Sequence, residues 1–243
     1  MVDVHCHILP QVDDGAKSWE VTLEMCRMAA ADGITHIVAT PHANSQYVYD
    51  REAHENLLQE LRDRTAGQLS FSLGCDFHFS YVNIEDALAH PERYAISGTK
   101  YMLIELSDYS IPPNMLNAMS QLNAAGLKLI LTHPERNSLI QRRPELVLRW
   151  AEAGCIVQVT ASSITGFWGR VAKKVSRWLI KHDAVHVIAT DAHDTKHRPP
   201  LLADAREQVI DFANEDLGKA LFEDNPRAIV AGEPLPFFPK PIP

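Results

Sequence analysis

Six short apolar runs in this chain end on a histidine or a carboxylate, and that repeated ending restricts the fold more than any other feature. The first run reads Val2-Asp3-Val4-His5-Cys6-His7. Side chains alternate faces along a strand, so His5 and His7 point the same way and can share one metal ion. Later runs finish Ala39-Thr40-Pro41-His42, Ile104-Glu105, Leu131-Thr132-His133 and Ala189-Thr190-Asp191-Ala192-His193, and another closes Leu73-Gly74-Cys75-Asp76. Histidines and carboxylates at the ends of successive hydrophobic strands are how a barrel collects a metal site at one rim.

The rest of the pattern supports such a scaffold. Strands are predicted over 2–6, 36–40, 69–75, 101–106, 127–132, 156–160 and 185–190, with amphipathic helices over 19–32, 51–65, 114–125, 144–153, 169–181 and 200–214. Gly33, Gly126 and Gly154 each follow a helical segment and precede a strand, where a left-handed residue ends a helix at little cost. Strands alternating with helices imply parallel pairing. Seven such units point to an α/β fold of the distorted (β/α)7 TIM-like barrel type, in one domain. An open nucleotide-binding sheet would need a glycine-rich loop after its first strand, and neither GxGxxG nor GxxxxGK[ST] occurs. The domain is expected to span 1–232. Residues 233–243 carry Pro234, Pro236, Pro239, Pro241 and Pro243 and cannot form a regular helix or central strand.

Composition removes several classes of function. A net charge of −8 argues against a nucleic-acid partner, which calls for a basic stripe. No apolar run is long enough to insert in a membrane, and no basic-then-apolar leader opens the sequence, so a cytoplasmic location is expected. Cys6, Cys26, Cys75 and Cys155 form no CxxC pair and sit in apolar runs, as buried small hydrophobes do. A cysteine phosphatase needs an arginine six positions after its thiolate. Those positions hold Val12, Asp32, Tyr81 and Ala161, which excludes that chemistry.

Candidate metal ligands are His5, His7, His42, Asp76, Glu105, His133, Asp191 and His193, each at or just past the end of a different predicted strand or in its HxH or DxH pair. The turn Asp13-Asp14-Gly15 follows the first strand closely enough to add Asp14 as a ligand with Asp13 supporting it. His36, His54, His90, His182, His186 and His197 lack such placement and are assigned no role. Imidazoles mixed with carboxylates and no thiolate point to Mn, Fe, Zn or Mg, and so many ligands suit two or three ions with a carboxylate bridging a pair. Ions clustered this way activate water and stabilise a leaving oxygen in an in-line displacement.

Several motifs together carry a family resemblance. His5-Cys6-His7-Ile8-Leu9-Pro10, Val12-Asp13-Asp14-Gly15, Ala39-Thr40-Pro41-His42, His133-Pro134-Glu135-Arg136, Ala161-Ser162-Ser163, Thr190-Asp191-Ala192-His193 and the helix start Asn225-Pro226 resemble the PHP (polymerase and histidinol phosphatase) superfamily. Within it the chain is similar to the bacterial manganese-dependent protein tyrosine phosphatases of capsule and exopolysaccharide operons. The resemblance covers essentially the whole chain and implies a PHP-fold barrel with three Mn2+ ions. It assigns His5, His7, Asp76 and Asp191 to one ion, Asp76, Glu105 and His133 to a second, and Asp14, His42 and His193 to a third. The family usually carries a glutamate where this chain has Asp76, one methylene shorter, which bears on the bridging role. Arg136 and Arg198 match its phosphate-binding arginines, whose planar guanidinium pairs bidentately with phosphate oxygens. Arg170, after Gly166-Phe167-Trp168-Gly169, is a further candidate at the mouth.

The implied reaction is phosphomonoester hydrolysis of phosphotyrosine in a protein, with a metal-bridging hydroxide attacking phosphorus in line. The implied partner is a tyrosine autokinase of polysaccharide export, dephosphorylated on its tyrosine-rich tail. Three rivals stand beside it. A histidinol-phosphate-type phosphatase would have a deep pocket for a small alkyl phosphate. An amidohydrolase also begins with HxH but typically bridges its metals with a carbamylated lysine, where Asp76 and Glu105 stand here. A non-catalytic barrel that regulates the kinase by binding would have no use for a full ligand set.

Overall fold

The β-branched and apolar runs between helix-stopping glycines become short parallel strands. The structure, a computed structural model, describes residues 1–242; of the proline-rich segment, Pro243 lies outside the described residues. The strands are β1 (Val2–Cys6), β2 (His36–Ala39), β3 (His42–Ala43), β4 (Ser70–Leu73), β5 (Asp76–His78), β6 (Tyr101–Glu105), β7 (Lys128–Leu131), β8 (Ile156–Thr160) and β9 (Val187–Ala189). They form two sheets, in the orders β1-β2-β4 and β3-β5-β6-β7-β8-β9, and every pairing between them is parallel.

Two of the seven predicted strands, 36–40 and 69–75, are each followed by a second short strand that was not foreseen, so His42 and Asp76 open β3 and β5 instead of closing a strand. Pro41, which has no N–H to donate, separates β2 from β3. Gly74 separates β4 from β5, at a point where a Cβ would lie 3.0 Å from Val38 and 3.2 Å from Ile96. A larger residue would therefore push the strands apart. Beyond β9 the chain bonds back to β1: Asp191 N–H donates to the His5 carbonyl at 2.8 Å and His7 N–H to that of Ala192 at 2.8 Å.

The helices are α1 (Trp19–Ala31), α2 (Arg51–Thr65), α3 (Tyr81–Ala89), α4 (Met115–Ala124), α5 (Glu145–Glu152), α6 (Ala161–Thr165), α7 (Gly169–Lys181), α8 (Ala203–Phe212), α9 (Glu215–Lys219) and α10 (Asn225–Ala231), with a π-helical turn over Ala220–Asp224. Gly33, Gly126 and Gly154 hold φ of 88°, 92° and 90°, the left-handed conformation expected at those helix ends. Among the elements not foreseen, α3 and the helical run 215–224 are the largest, while α10 starts at the expected Asn225-Pro226.

A buried cluster of Val2, Val4, Val38, Tyr101, Leu103, Ile130, Ile156, Val187 and Ala189 is drawn from the strands. Strand alternation puts Leu103, Ile156 and Ala189 two residues below Glu105, Gln158 and Asp191, so apolar layers floor the polar end. All four cysteines are free and buried. Residues 233–242 form neither helix nor strand. Asn225 holds them, donating to the Phe237 carbonyl at 2.7 Å and accepting from Phe237 N–H at 3.0 Å. No helix among the described residues is long and apolar enough to cross a membrane.

Candidate metal centre

The polar end is built outward from β1. Its register against β2 slips, with Asp3 opposite Ile37 but Cys6 opposite Ala39, so β1 spends an extra residue just where His5 and His7 emerge. Irregularities of this kind re-aim side chains beside functional sites. The Nε2 atoms of His5 and His7 meet at 3.2 Å. Each ring is held from behind: His5 Nδ1 lies 3.0 Å from Gln158 Oε1 and His7 Nδ1 lies 2.8 Å from Asp13 Oδ2. Both partners are acceptors, so each Nδ1 carries the proton and each Nε2 turns its lone pair to the mouth.

Asp13 also accepts from Gly15 N–H at 2.8 Å and His42 N–H at 3.2 Å, which ties the Asp13-Asp14-Gly15 turn to two candidate ligands. Gly15 has no alternative there, because a Cβ would stand 2.2 Å from the His7 carbonyl oxygen. The turn leaves Asp14 Oδ1 at 3.3 Å from His42 Nε2 and 3.4 Å from His193 Nε2. Asp76, the first residue of β5, sits at the centre. Its Oδ2 is 3.4 Å from His5 Nε2, 3.4 Å from His42 Nδ1 and 3.9 Å from His7 Nε2. Glu105, ending β6, lies 3.5 Å from His133 Nε2 and 3.7 Å from His42 Nδ1. Asp191 Oδ1 is 3.3 Å from His5 Nε2 and 3.4 Å from His7 Nε2. All nine candidate ligands expected from sequence thus lie in one place.

Their donor atoms fall into four overlapping groups able to hold a cation: His7 with Asp14, His42 and His193; His5 with His7 and Asp76; His5 with His133 and Asp191; and His42 with Asp76 and Glu105. Asp76 belongs to two of these groups despite its short side chain. Five buried atoms in them, His42 Nδ1, His133 Nε2, His193 Nε2 and both Asp76 carboxylate oxygens, have no hydrogen-bond partner. A buried unpaired acceptor costs about 1–3 kcal/mol, so this many converging on one volume fit shared divalent cations.

The electrostatics agree. Burial would lower the pKa of His5, but Asp76 and Asp191 more than reverse that, to about 9. At His42 burial is likewise overcome, by Asp14, Asp76 and Glu105, and the pKa rises to about 10. Burial takes His193 down to about 4 and His133 well below its ordinary value. A field that raises the pKa of three of these histidines, His5, His7 and His42, while burial keeps His133 and His193 neutral, demands positive charge that the side chains supply only in part. His133 and Asp191 also hold left-handed backbone, at φ of 33° and 51°, a strained state that gathers at functional sites.

Two arginines close one wall. Arg136 Nη1 and Arg198 Nη2 both donate to Asp191 Oδ2 at 2.5 Å, and burial notwithstanding, the two guanidiniums hold that carboxyl far below the usual range. Trp168 lies under both, its ring centroid 4.6 Å from Arg136 Cζ and 5.5 Å from Arg198 Cζ. The mouth is lined by Asp14, His42, Glu105, Asp191 and His193 together with Asp108, Tyr109, Ser138, Trp168 and the two arginines.

Sequence reasoning missed Gln158, Asp3, Trp168 and Tyr109. Gln158 and Asp3 left a trace, as polar residues inside otherwise apolar strands. Asp3 is fully buried and accepts from Thr190 N–H at 2.9 Å and from the Thr190 hydroxyl, anchoring the chain just before Asp191. Arg170 is not at the mouth; it lies on the outer face of α7 with other cations.

Comparison with known proteins places this architecture. Residues 1–231 match the family model described as capsular polysaccharide synthesis, CpsB/CapC. The chain is 34% identical over 203 residues to the tyrosine-protein phosphatase YwqE of Bacillus subtilis (strain 168), covering 82% of this chain and 79% of the relative. A solved structure from work on YwqE of Bacillus subtilis and CpsB of Streptococcus pneumoniae, there called unique metal-dependent tyrosine phosphatases, superposes with a TM-score of 0.91 and 31% identity. It covers 100% of this chain and 99% of its own. The zinc-bound histidinol phosphate phosphatase of Lactococcus lactis shares the fold, with a TM-score of 0.59 and 12% identity over 88% of this chain and 94% of its own. This chain belongs to the CpsB/CapC family of capsular polysaccharide synthesis.

Proposed function

We propose that this protein is a metal-dependent protein tyrosine phosphatase. The observation that carries the reading is the convergence of four overlapping histidine–carboxylate groups on a mouth walled by Arg136 and Arg198, in a chain of the CpsB/CapC family. His5, His7, Asp14, His42, Asp76, Glu105, His133, Asp191 and His193 would hold two or three divalent ions, with manganese the proposed metal. Such ions supply a water nucleophile usable at neutral pH and positive charge for the leaving oxygen.

The side chains do the rest. Arg136 and Arg198 take up the phosphate oxygens and offset charge that grows on them during in-line transfer. Trp168 beneath the two guanidiniums fixes their planes before substrate arrives. Gln158 and Asp13 hold His5 and His7 in one tautomer. A phenolate leaves readily, its parent pKa being about 10, so the demand for a general acid is mild. Tyr109 is 79% exposed and Trp168 37% exposed, so the rim is accessible to a side chain presented by another protein.

The return of the chain from Asp191 to β1 supports a distorted (β/α)7 barrel of the PHP type over 1–232, with 233–242 as a strap held to it through Asn225. A phosphotyrosine autokinase of polysaccharide export is the proposed substrate protein, and the cytoplasm the proposed location.

The test is hydrolysis of a phosphotyrosine peptide and of histidinol phosphate, side by side, by protein stripped with chelator and reloaded with Mn2+. Turnover of the peptide that returns with metal and is lost in His5→Ala and Arg136→Ala is expected. Preference for histidinol phosphate would move the protein into small-molecule metabolism, and no turnover on either would end the phosphatase reading.

A further inference from the structure

The outer face of α7 carries Arg170, Lys173, Lys174, Arg177 and Lys181, with no acidic residue in the helix. Their spacing brings them onto one side, where with Trp178 they line a surface groove. Five of the chain's 23 basic residues therefore share one ridge in a protein of net charge −8. Their contacts are neutral: Lys173 Nζ donates to the Thr165 carbonyl at 3.3 Å and to Gln208 Oε1 at 3.1 Å, and Arg177 lies over Phe212. Among the described residues, the arginine and lysine ion pairs fall on other cations. A face of like charges left without counterions costs self-repulsion and is matched by an anionic partner.

The helix that carries the ridge starts beside the mouth. Trp168, which underlies the two phosphate-wall arginines, is the residue immediately before α7, and the helix packs on the Pro134–Arg136 turn. We propose that the α7 ridge is a docking surface for an acidic segment of the phosphoprotein whose phosphorylated side chain enters the mouth. This rests on the phosphatase reading for what occupies the mouth. A helix of 13 residues is about 20 Å long, the span of about six extended residues, so the acidic positions lie within about six residues of the phosphotyrosine, on one side. The rest of the molecule repels anions on balance, and the ridge gives an anionic substrate one favourable approach. A lipid surface fits less well, because the apolar side of α7, with Ala172, Val175, Leu179 and Ile180, is buried in the protein and offers nothing to insert.

The test compares wild-type protein with Lys174→Glu/Lys181→Glu, both sites exposed and clear of the mouth. Manganese-loaded proteins are titrated with labelled peptides carrying a non-hydrolysable phosphonate analogue of phosphotyrosine, flanked by glutamates or by glutamines. The expected result is binding of the glutamate peptides that the charge reversal weakens about tenfold, with the glutamine peptide unchanged and the difference lost at high salt. Lys174→Arg/Lys181→Arg should bind like wild type. Equal affinity of wild type for both peptides, or of both proteins for the glutamate peptide, overturns the proposal. Sedimentation with phosphatidylserine vesicles that the charge reversal abolishes, without peptide discrimination, overturns it too and gives the ridge to a membrane. Turnover of free phosphotyrosine, measured in parallel and expected to be equal in all three proteins, tests the enzymatic reading separately from the binding.

Discussion

At Gly15 a single methyl group decides the geometry of the mouth, because its Cβ would fall 2.2 Å from the His7 carbonyl oxygen and 2.5 Å from His7 Cβ. Neither contact is with a flexible side-chain tip, so Gly15→Ala must displace the turn that carries Asp13 and Asp14. Strain of this kind costs about 1–3 kcal/mol. We expect weaker Mn2+ binding and at least about a tenfold fall in kcat/KM on a phosphotyrosine peptide, read by calorimetric titration and initial rates. Metal affinity equal to wild type would show that the turn does not support the centre. Away from the mouth, His186 is buried, accepts from Val157 N–H at 3.1 Å, and is held by burial to a pKa of about 4. The unfolded chain takes that proton near the ordinary histidine value of 6.5, so stability is unaffected above it and is lost as pH falls from 6.5 towards 4. The loss is about 2–3 kcal/mol by pH 4.5. His186→Leu should cost about 1–2 kcal/mol at neutral pH, since Val157 N–H loses its acceptor, yet close that gap on acidification. Parallel urea-unfolding stabilities for the two proteins across this range would refute the assignment. Residues of this second kind were opaque in the sequence: His186 looks like any unplaced histidine until its neighbours are known.

At the scale of elements, legibility followed the sharpness of the local signal. Strand ends were readable at Glu105, His133 and Asp191, which stand out after an apolar run, though His42 and Asp76 open β3 and β5; helix ends were readable because Gly33, Gly126 and Gly154 mark them. The helix α3 was not, since Tyr81-Val82-Asn83-Ile84 reads as strand-like, and its two first residues are 75% and 73% exposed, leaving only Ala87 buried. Ser80 starts it, its hydroxyl accepting from Asn83 N–H at 3.3 Å, and a cap is easily lost among other serines. Of the helical run 215–231, the start of α10 was legible in Asn225-Pro226, since Pro226 sits in the first turn where no N–H is needed, while 215–224 carried no such signal. The short strands β3 and β5 beyond Pro41 and Gly74 were not foreseen, because two or three residues carry too little alternation to read. At the site, Asp13 was legible as a supporting residue of Asp14, but its bond to His7, on the strand before the turn, was not. The stacking of Arg136 and Arg198 on Trp168 was not either, because three segments distant in sequence meet there.

Over the whole molecule, one end of an apolar α/β framework carries Asp13, Asp14, Asp76, Glu105 and Asp191 within a few residue diameters, against two arginines. The folded chain holds this arrangement by packing, with Leu103, Ile156 and Ala189 beneath it fully or nearly fully buried. Unfolding disperses the ligands, so cations that bind the folded state pull the equilibrium towards it. At a free concentration of about a hundred times Kd one site adds about 2.7 kcal/mol. For a domain of 243 residues that corresponds to a rise in Tm of roughly 5–10 °C. Chelator-treated protein should melt lower than manganese-loaded protein by this margin, as followed by circular dichroism. Asp76→Asn should narrow the margin, because the residue it replaces belongs to two of the four cation-holding groups and an amide brings no charge to either. Equal melting with and without chelator would mean that protons alone balance these carboxylates in the working protein. The four groups would then be a structural network, and the hydrolytic chemistry would have to be sought without metal.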